Sequence, residues 1–172
     1  VVYEKNGRYP TPLFDERSNC QLGALLDETG HLKQDRIDAT LVTITRFAAI
    51  IRAMDVSVCY PIATAAVRRA KNGEAFYIPA EEILGMAIHI LSQEDEANYV
   101  ARGLTLNIPD ADGLVADLGG GSIEIVSLKK GVIRHGTSFN FGHLSDVNES
   151  EITKALLSAD CCLLYTSPSP RD

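Results

Sequence analysis

The chain has 172 residues, of which 45% are hydrophobic and 23% charged, and its formal net charge at pH 7 is −7. No apolar run approaches the ~20 residues of a membrane-spanning helix, and the acidic balance argues against a general nucleic-acid-binding surface. The four cysteines form no Cys-x-x-Cys pair and the four histidines have no ligand spacing. We therefore expect neither a zinc site nor a disulfide framework, and a reduced, cytoplasmic setting.

Strands and helices are predicted to alternate along the chain. The predicted strands lie at 1–3, 56–62, 86–91, 114–118, 122–128 and 132–138. The predicted helices lie at 35–54, between Thr64 as the cap and the Asn72-Gly73 stop, around 80–84, from Ser92 to about 106, and at 151–157. This alternation indicates an α/β layer structure with a mixed sheet.

A run of small and acidic residues, Asp117-Leu118-Gly119-Gly120-Gly121-Ser122-Ile123-Glu124, joins two of these strands. Glycines reach positive φ at little cost, so a phosphate can approach successive N–H groups of the turn. Asp117 can hold a hydrated Mg²⁺ against the phosphate oxygens. Because side chains alternate along a strand, Ser122 and Glu124 are predicted to face the cleft and Ile123 and Ile125 the core. The run predicts a phosphate and metal site, although a plain hairpin is the alternative.

Two further segments place charged residues at helix starts. Arg68 lies near the start of the helix after Thr64, where a helix N-terminus and a guanidinium favour an anion. A solvated basic helix face is the alternative. The segment Ser92-Gln93-Glu94-Asp95-Glu96-Ala97 begins the next long helix with a variant of the capping box. Its acids either complement the helix dipole or place one ionised carboxylate in the cleft as a base.

Together these motifs resemble, in order and spacing, those of the exopolyphosphatase and guanosine pentaphosphate phosphohydrolase (Ppx/GppA) family. The resemblance covers most of residues 1–157. It implies the actin-like ATPase and sugar-kinase superfold, which is ribonuclease H-like, with a mixed sheet flanked by helices and here incomplete. It also implies Mg²⁺-dependent removal of a terminal phosphate by an activated water.

The resemblance gives each matching residue a role. Glu96 matches the catalytic glutamate that activates water, and Arg68 matches the phosphate-binding arginine, which is also counted as catalytic. Asp117 and Glu124 match the acids that organise the metal and the water, so Glu124 is counted as both metal-binding and catalytic. The remaining phosphate-binding matches are Asn72, Gly119, Gly120, Gly121 and Ser122, and Gly142 matches a later glycine.

The chain also departs from the family pattern. The first phosphate loop, Asp-x-Gly-Ser-Asn-Ser, is absent and is expected to lie immediately before Val1, and most of the second half is absent as well. Gln93 stands where a glycine is usual. The chain is therefore expected to be an interior piece of a family member. Its predicted parts are a first α/β domain at 1–111, the beginning of a second at 112–160, and a tail at 161–172 that resembles translated adapter sequence.

The sequence thus predicts an exopolyphosphatase, with guanosine pentaphosphate hydrolysis as the first alternative. A kinase or ATPase of the same superfold, or a non-catalytic phosphate or nucleotide sensor, are alternatives from other classes. The expected partners are Mg²⁺ and polyphosphate or guanosine pentaphosphate, with no nucleic acid polymer and no membrane, and the full-length protein is a candidate homodimer. The 172 residues alone are expected to be inactive, because one of two phosphate loops is missing. They are also expected to be poorly stable, because the opening strand and the second half are missing.

Overall fold

A computed structural model describes residues 1–4, 10–24 and 26–142, together with residues 150 and 153. The chain divides into two compact units, one at 1–90 and the other at 91–172. The predicted division after residue 111 concerns the domains of the whole protein, and it stays a prediction. The predicted helix at 151–157, apart from residue 153, and the tail at 161–172 lie outside the described residues.

The first unit contains two small sheets. Strands β1 (Val2–Glu4) and β2 (Thr11–Phe14) pair antiparallel, and strands β3 (Ile62–Ala63) and β4 (His89–Ile90) pair parallel. Each of the strands predicted at 56–62 and 86–91 is therefore only two residues long in the structure. Strand β2 was not predicted because its Pro12 is typical of turns, but both strands of a two-stranded sheet are edges, where proline is tolerated.

The described residues of this unit also form four helices: α1 (Leu26–Thr29), α2 (Gln34–Ala53), α3 (Ala65–Arg69) and α4 (Glu74–Leu84). The prediction of α2 is confirmed to within one residue at each end. Helix α4 begins earlier than predicted and contains Pro79, so the helix forms despite losing one backbone hydrogen bond. The unit's core consists of Leu26, Leu32, Ile37, Ala63, Val67, Phe76 and Ala80.

The second unit packs helix α5 (Gln93–Asn107) on a sheet of strands β5 (Gly113–Leu118), β6 (Ile123–Lys129) and β7 (Val132–Phe139). All four elements confirm the predicted ones to within two residues at each end. The helix begins at the predicted capping box, in which the Ser92 hydroxyl accepts from the Asp95 N–H at 3.0 Å. Within the described part of the chain, no helix is long and apolar enough to cross a membrane.

The three strands form an antiparallel sheet with β6 in the centre. Lys130 and Gly131 join β6 to β7 with φ values of 50° and 72°, as a two-residue hairpin turn requires. A bulge then shifts the register, since Leu128 lies opposite Ile133 but Ser127 lies opposite His135. The described strands therefore form three small sheets, one parallel and two antiparallel, as expected of an incomplete α/β fold.

The predicted face assignment in β6 is wrong in part. Val126 and Leu128 lie on the same face as Glu124, and they form the apolar core with Ala97 and Ala101 of α5. The polar end and the core of the strand therefore share one face, because the alternation that places Glu124 on this face continues into Val126 and Leu128. Ile125 on the opposite face is buried without joining that core.

Candidate functional site

The glycine run forms the turn between β5 and β6. Four residues, Gly119, Gly120, Gly121 and Ser122, connect the last pair of the ladder. The Gly119 N–H donates to the Ser122 carbonyl at 2.9 Å and closes the turn, so that amide is already engaged. Ser122 is buried, with 4% of its surface exposed. The run is a hairpin, and a hairpin of glycines leaves no side chain between its backbone and an approaching anion.

Gly142 lies directly against this turn. A Cβ at position 142 would overlap the backbone of Gly119 and Gly120. The segment that follows β7 therefore packs backbone to backbone on the glycine turn, and only glycine permits that approach. This contact explains why a glycine is needed well after the motif itself.

Asp117 and Glu124 lie directly opposite each other on β5 and β6. Opposed residues of an antiparallel pair have Cβ atoms about 4.5–5.5 Å apart, and like charges there are destabilising. Asp117 is exposed, whereas Glu124 is only 3% exposed. The Ser138 hydroxyl, opposite Glu124 on β7, donates to Glu124 Oε1 at 2.8 Å. The buried carboxylate is thus oriented by a hydrogen bond while it faces a second acid.

These two carboxylates offer oxygen ligands, the kind that Mg²⁺ binds. Among the described residues, no group of three or more His, Cys, Asp or Glu side chains could hold a metal ion. Mg²⁺ is usually held by one or two carboxylates, and waters and substrate phosphate oxygens complete its coordination. Asp117 and Glu124 fit that requirement, because a cation between them would also relieve their repulsion.

The first turn of α5 carries three acids, which differ in their hydrogen bonds and in their exposure. Asp95 belongs to the capping box, because its Oδ2 accepts from the Ser92 N–H at 3.3 Å and from the Ser92 hydroxyl at 2.7 Å. Glu94 is exposed, whereas Glu96 is half-buried and precedes the buried Ala97. The role of Glu96 as a base stays a prediction.

Arg68 and Asn72 belong to the first unit. Arg68 is half-buried in α3, where Thr64 is the N-cap residue but its side chain makes no capping hydrogen bond, contrary to the prediction. The Asn72 side chain makes two hydrogen bonds to the backbone of Leu32. Its Oδ1 accepts from the Leu32 N–H at 2.7 Å, and its Nδ2 donates to the Leu32 carbonyl at 2.9 Å. Its amide therefore joins two loops, and its phosphate-binding role stays a prediction.

The contacts of three polar residues in the second unit were not predicted from the sequence. Ser138 bonds Glu124, and Gln93 Nε2 at the start of α5 donates to Asn140 Oδ1 just after β7 at 2.8 Å. The hairpin turn at Lys130 and Gly131 could have been used to predict the register between β6 and β7. Without the bulge, however, it would have placed Thr137 opposite Glu124 instead of Ser138.

Outside the motifs, Cys20 is a half-buried free thiol with an altered pKa. Burial raises the pKa of Cys20, but hydrogen bonds with Thr43 and Ser18 and the charge of Arg46 outweigh that effect and lower it below its ordinary value. In α4, burial and the nearby Glu74 carboxylate raise the pKa of Tyr77. Neither residue belongs to the predicted site.

Comparison with known proteins places these features in a family. The model of the Ppx/GppA phosphatase family matches residues 1–150. An exopolyphosphatase from Cytophaga hutchinsonii is 22% identical with a TM-score of 0.84, and the match covers 96% of this chain and 59% of that one. The PPX-GPPA enzyme of Aquifex aeolicus is 24% identical with a TM-score of 0.73, and the match covers 99% of this chain and 60% of that one.

An exopolyphosphatase-like protein is 25% identical with a TM-score of 0.74, and that match covers 94% of this chain and 55% of the other. These structures confirm the predicted actin-like ATPase fold. The chain spans less than two thirds of the length of each of these proteins.

Proposed function

Because the chain belongs to the Ppx/GppA phosphatase family, we propose that the whole protein is an exopolyphosphatase, which hydrolyses the terminal phosphate of inorganic polyphosphate. Its family consists of phosphatases, so hydrolysis is the reaction class. The preference for polyphosphate is supported by the solved exopolyphosphatase from Cytophaga hutchinsonii, which shares the fold of this chain.

One observation carries the proposal most directly. The buried Glu124 carboxylate faces Asp117 beside a turn made of three glycines and a buried serine. Burying a carboxylate opposite a second acid costs stability unless a cation or hydrogen bonds compensate. Such an arrangement is typical of a functional site rather than of a structural hairpin, where an apolar or neutral residue would be more stable.

In the proposed reaction, each of these residues has a separate role. Glu96 takes the proton of the attacking water as a general base. Backbone N–H groups of the glycine turn bind the phosphate oxygens and stabilise charge in the transition state. The family pattern also gives Arg68 of the first unit a phosphate-binding role. Asp117 and Glu124 would hold Mg²⁺, which when bound neutralises charge on the phosphate oxygens. Ser138 keeps the Glu124 carboxylate oriented.

The test measures phosphate release by the whole protein from polyphosphate and from guanosine pentaphosphate, with Mg²⁺ and with EDTA. Glu96→Gln should lower kcat by about 10²–10⁴-fold, as is typical for loss of a general base. Glu94→Gln is the matched control, since Glu94 lies in the same helical turn but is exposed, and it should retain normal turnover.

Each outcome of this assay is informative. Hydrolysis of guanosine pentaphosphate alone would replace the proposed substrate with the alternative one. Phosphate transfer to an acceptor other than water would identify a kinase, and binding of polyphosphate without turnover would identify a sensor. Normal turnover of Glu96→Gln would remove Glu96 from the role of base.

A further inference from the structure

Strand β7 meets the site through a row of alternating residues. Gly136 lies opposite Val126 and Ser138 lies opposite Glu124, so both belong to the face on which α5 packs. Asn140 is the next residue in this alternation and lies just beyond the end of the strand. Ser138 holds the Glu124 carboxylate at 2.8 Å. The other two members of the row contact helix α5.

Gly136 allows the helix to approach the strand closely. A Cβ at position 136 would lie only 3.3 Å from the Ala97 Cβ, which is tighter than most side-chain contacts. Ala97 is 4% exposed and belongs to the core of this unit. Because Gly136 has no side chain, the helix packs closely on the strand at Ala97, and this contact is the first fixed point of the helix.

Asn140 fixes a second point of the same helix. Its Oδ1 accepts a hydrogen bond of 2.8 Å from Gln93 Nε2, although the two residues are 47 positions apart. Gln93 is the first residue of α5. The bond thus ties the beginning of the helix to the end of β7, two residues beyond the one that orients Glu124.

Glu96 lies between these two fixed points. Residues three apart on a helix are neighbours on its surface, so Glu96 follows Gln93 on the same side and directly precedes Ala97. The Glu96 N–H donates to the Ser92 carbonyl at 3.0 Å, which is the first backbone hydrogen bond of the helix. The position of its backbone depends on where the start of the helix is held.

We propose that Gln93 and Asn140 are positioning residues that set the location of Glu96 relative to Glu124 through their mutual hydrogen bond. The inference rests on the proposed function, in which Glu96 is the base. A misplacement of about 1 Å can cost on the order of 10²-fold in rate. Because the Ala97–Gly136 contact remains when the bond is lost, we expect a smaller loss in kcat, of about 10-fold.

The experiment is a double-mutant cycle in the whole protein with polyphosphate and saturating Mg²⁺. Gln93→Met and Asn140→Leu remove the bond while keeping the approximate side-chain size. Each should lower kcat by about 10-fold and change KM by less than about twofold, and the double variant should be no worse than either single variant. Gln34→Met is the matched control: Gln34 is the first residue of α2, and its 2.8 Å bond to Asp38 is exposed, as the Gln93–Asn140 bond is.

Hydrogen–deuterium exchange provides a readout independent of catalysis. Asn140→Leu should speed exchange of the amides at 96 and 97, because it loosens the start of α5. Unchanged kcat in both single variants, or additive losses in the double variant, would overturn the proposal. If the wild-type protein hydrolyses neither substrate, the proposed function fails and the catalytic role of the pair fails with it. Unchanged exchange in an active enzyme would instead overturn the positioning role alone.

Discussion

Replacing Glu124 by glutamine tests the carboxylate pair most sharply, because the expected effect on stability changes sign with Mg²⁺. Glutamine keeps the shape of the side chain and an oxygen that can accept from Ser138, but it removes the charge opposite Asp117. Opposed like charges in a sheet cost about 0.2–1 kcal/mol. In EDTA the Glu124→Gln variant should therefore be more stable than the wild type by about that amount, a rise in Tm of at most about 4 °C.

With Mg²⁺ present the order should reverse. A ligand at 100 times its Kd stabilises the folded state by about 2.7 kcal/mol, and only the wild type retains the full pair of carboxylates for the ion. Thermal unfolding of both proteins in EDTA and over a Mg²⁺ titration measures the two effects. Ser138→Ala is the control: it keeps the Glu124 carboxylate but removes its hydrogen bond, so it should lower stability in EDTA by about 1.5–3 kcal/mol. A Glu124→Gln variant that is less stable than the wild type in EDTA, with an unchanged response to Mg²⁺, would refute the reasoning.

Two further predictions concern the first unit. Arg68→Lys should raise KM for polyphosphate, because an ammonium cannot make the two parallel hydrogen bonds of a guanidinium. Substitution of the exposed Lys71 is the control and should change KM less. Wild-type kinetics in Arg68→Lys would exclude bidentate contact. Asn72→Ala should lower the free energy of unfolding by about 1–3 kcal/mol, measured in urea, because it leaves the N–H and carbonyl of the buried Leu32 without their partner. A stable Asn72→Ala variant with a raised KM would instead make Asn72 a phosphate ligand.

Local signals predicted much of this structure. The long helix α2, the capping box of α5 and the strands around the glycine turn follow from spacing and residue type, and each is found where expected. The short parallel pair does not follow from local signals, since Val58 and Tyr60 belong to a β-prone stretch yet are 59% and 84% exposed and lie outside the described ladder. Propensity cannot show which strand finds a neighbour.

The site was predicted residue by residue but not as an arrangement. Glu124 could be recognised from its motif, whereas the hydrogen bond from Ser138 depends on a bulge at Arg134 that moves the register by one residue. Asn72 and Leu32 meet across 40 positions, and Gln93 and Asn140 across 47. Contacts at such separations are set by tertiary packing, which a single sequence does not display.

The close packing of Gly142 on the glycine turn has a consequence for the thermodynamics of binding. Fixing a flexible glycine backbone costs conformational entropy, and a loop that becomes ordered only around its ligand loses affinity by that amount. Here the turn is closed by its own hydrogen bond and covered on one side by the backbone at 142. Its ordering entropy is thus lost during folding, so a phosphate that binds there meets a preorganised surface. Substituting Gly142 would therefore shift that cost from folding to binding.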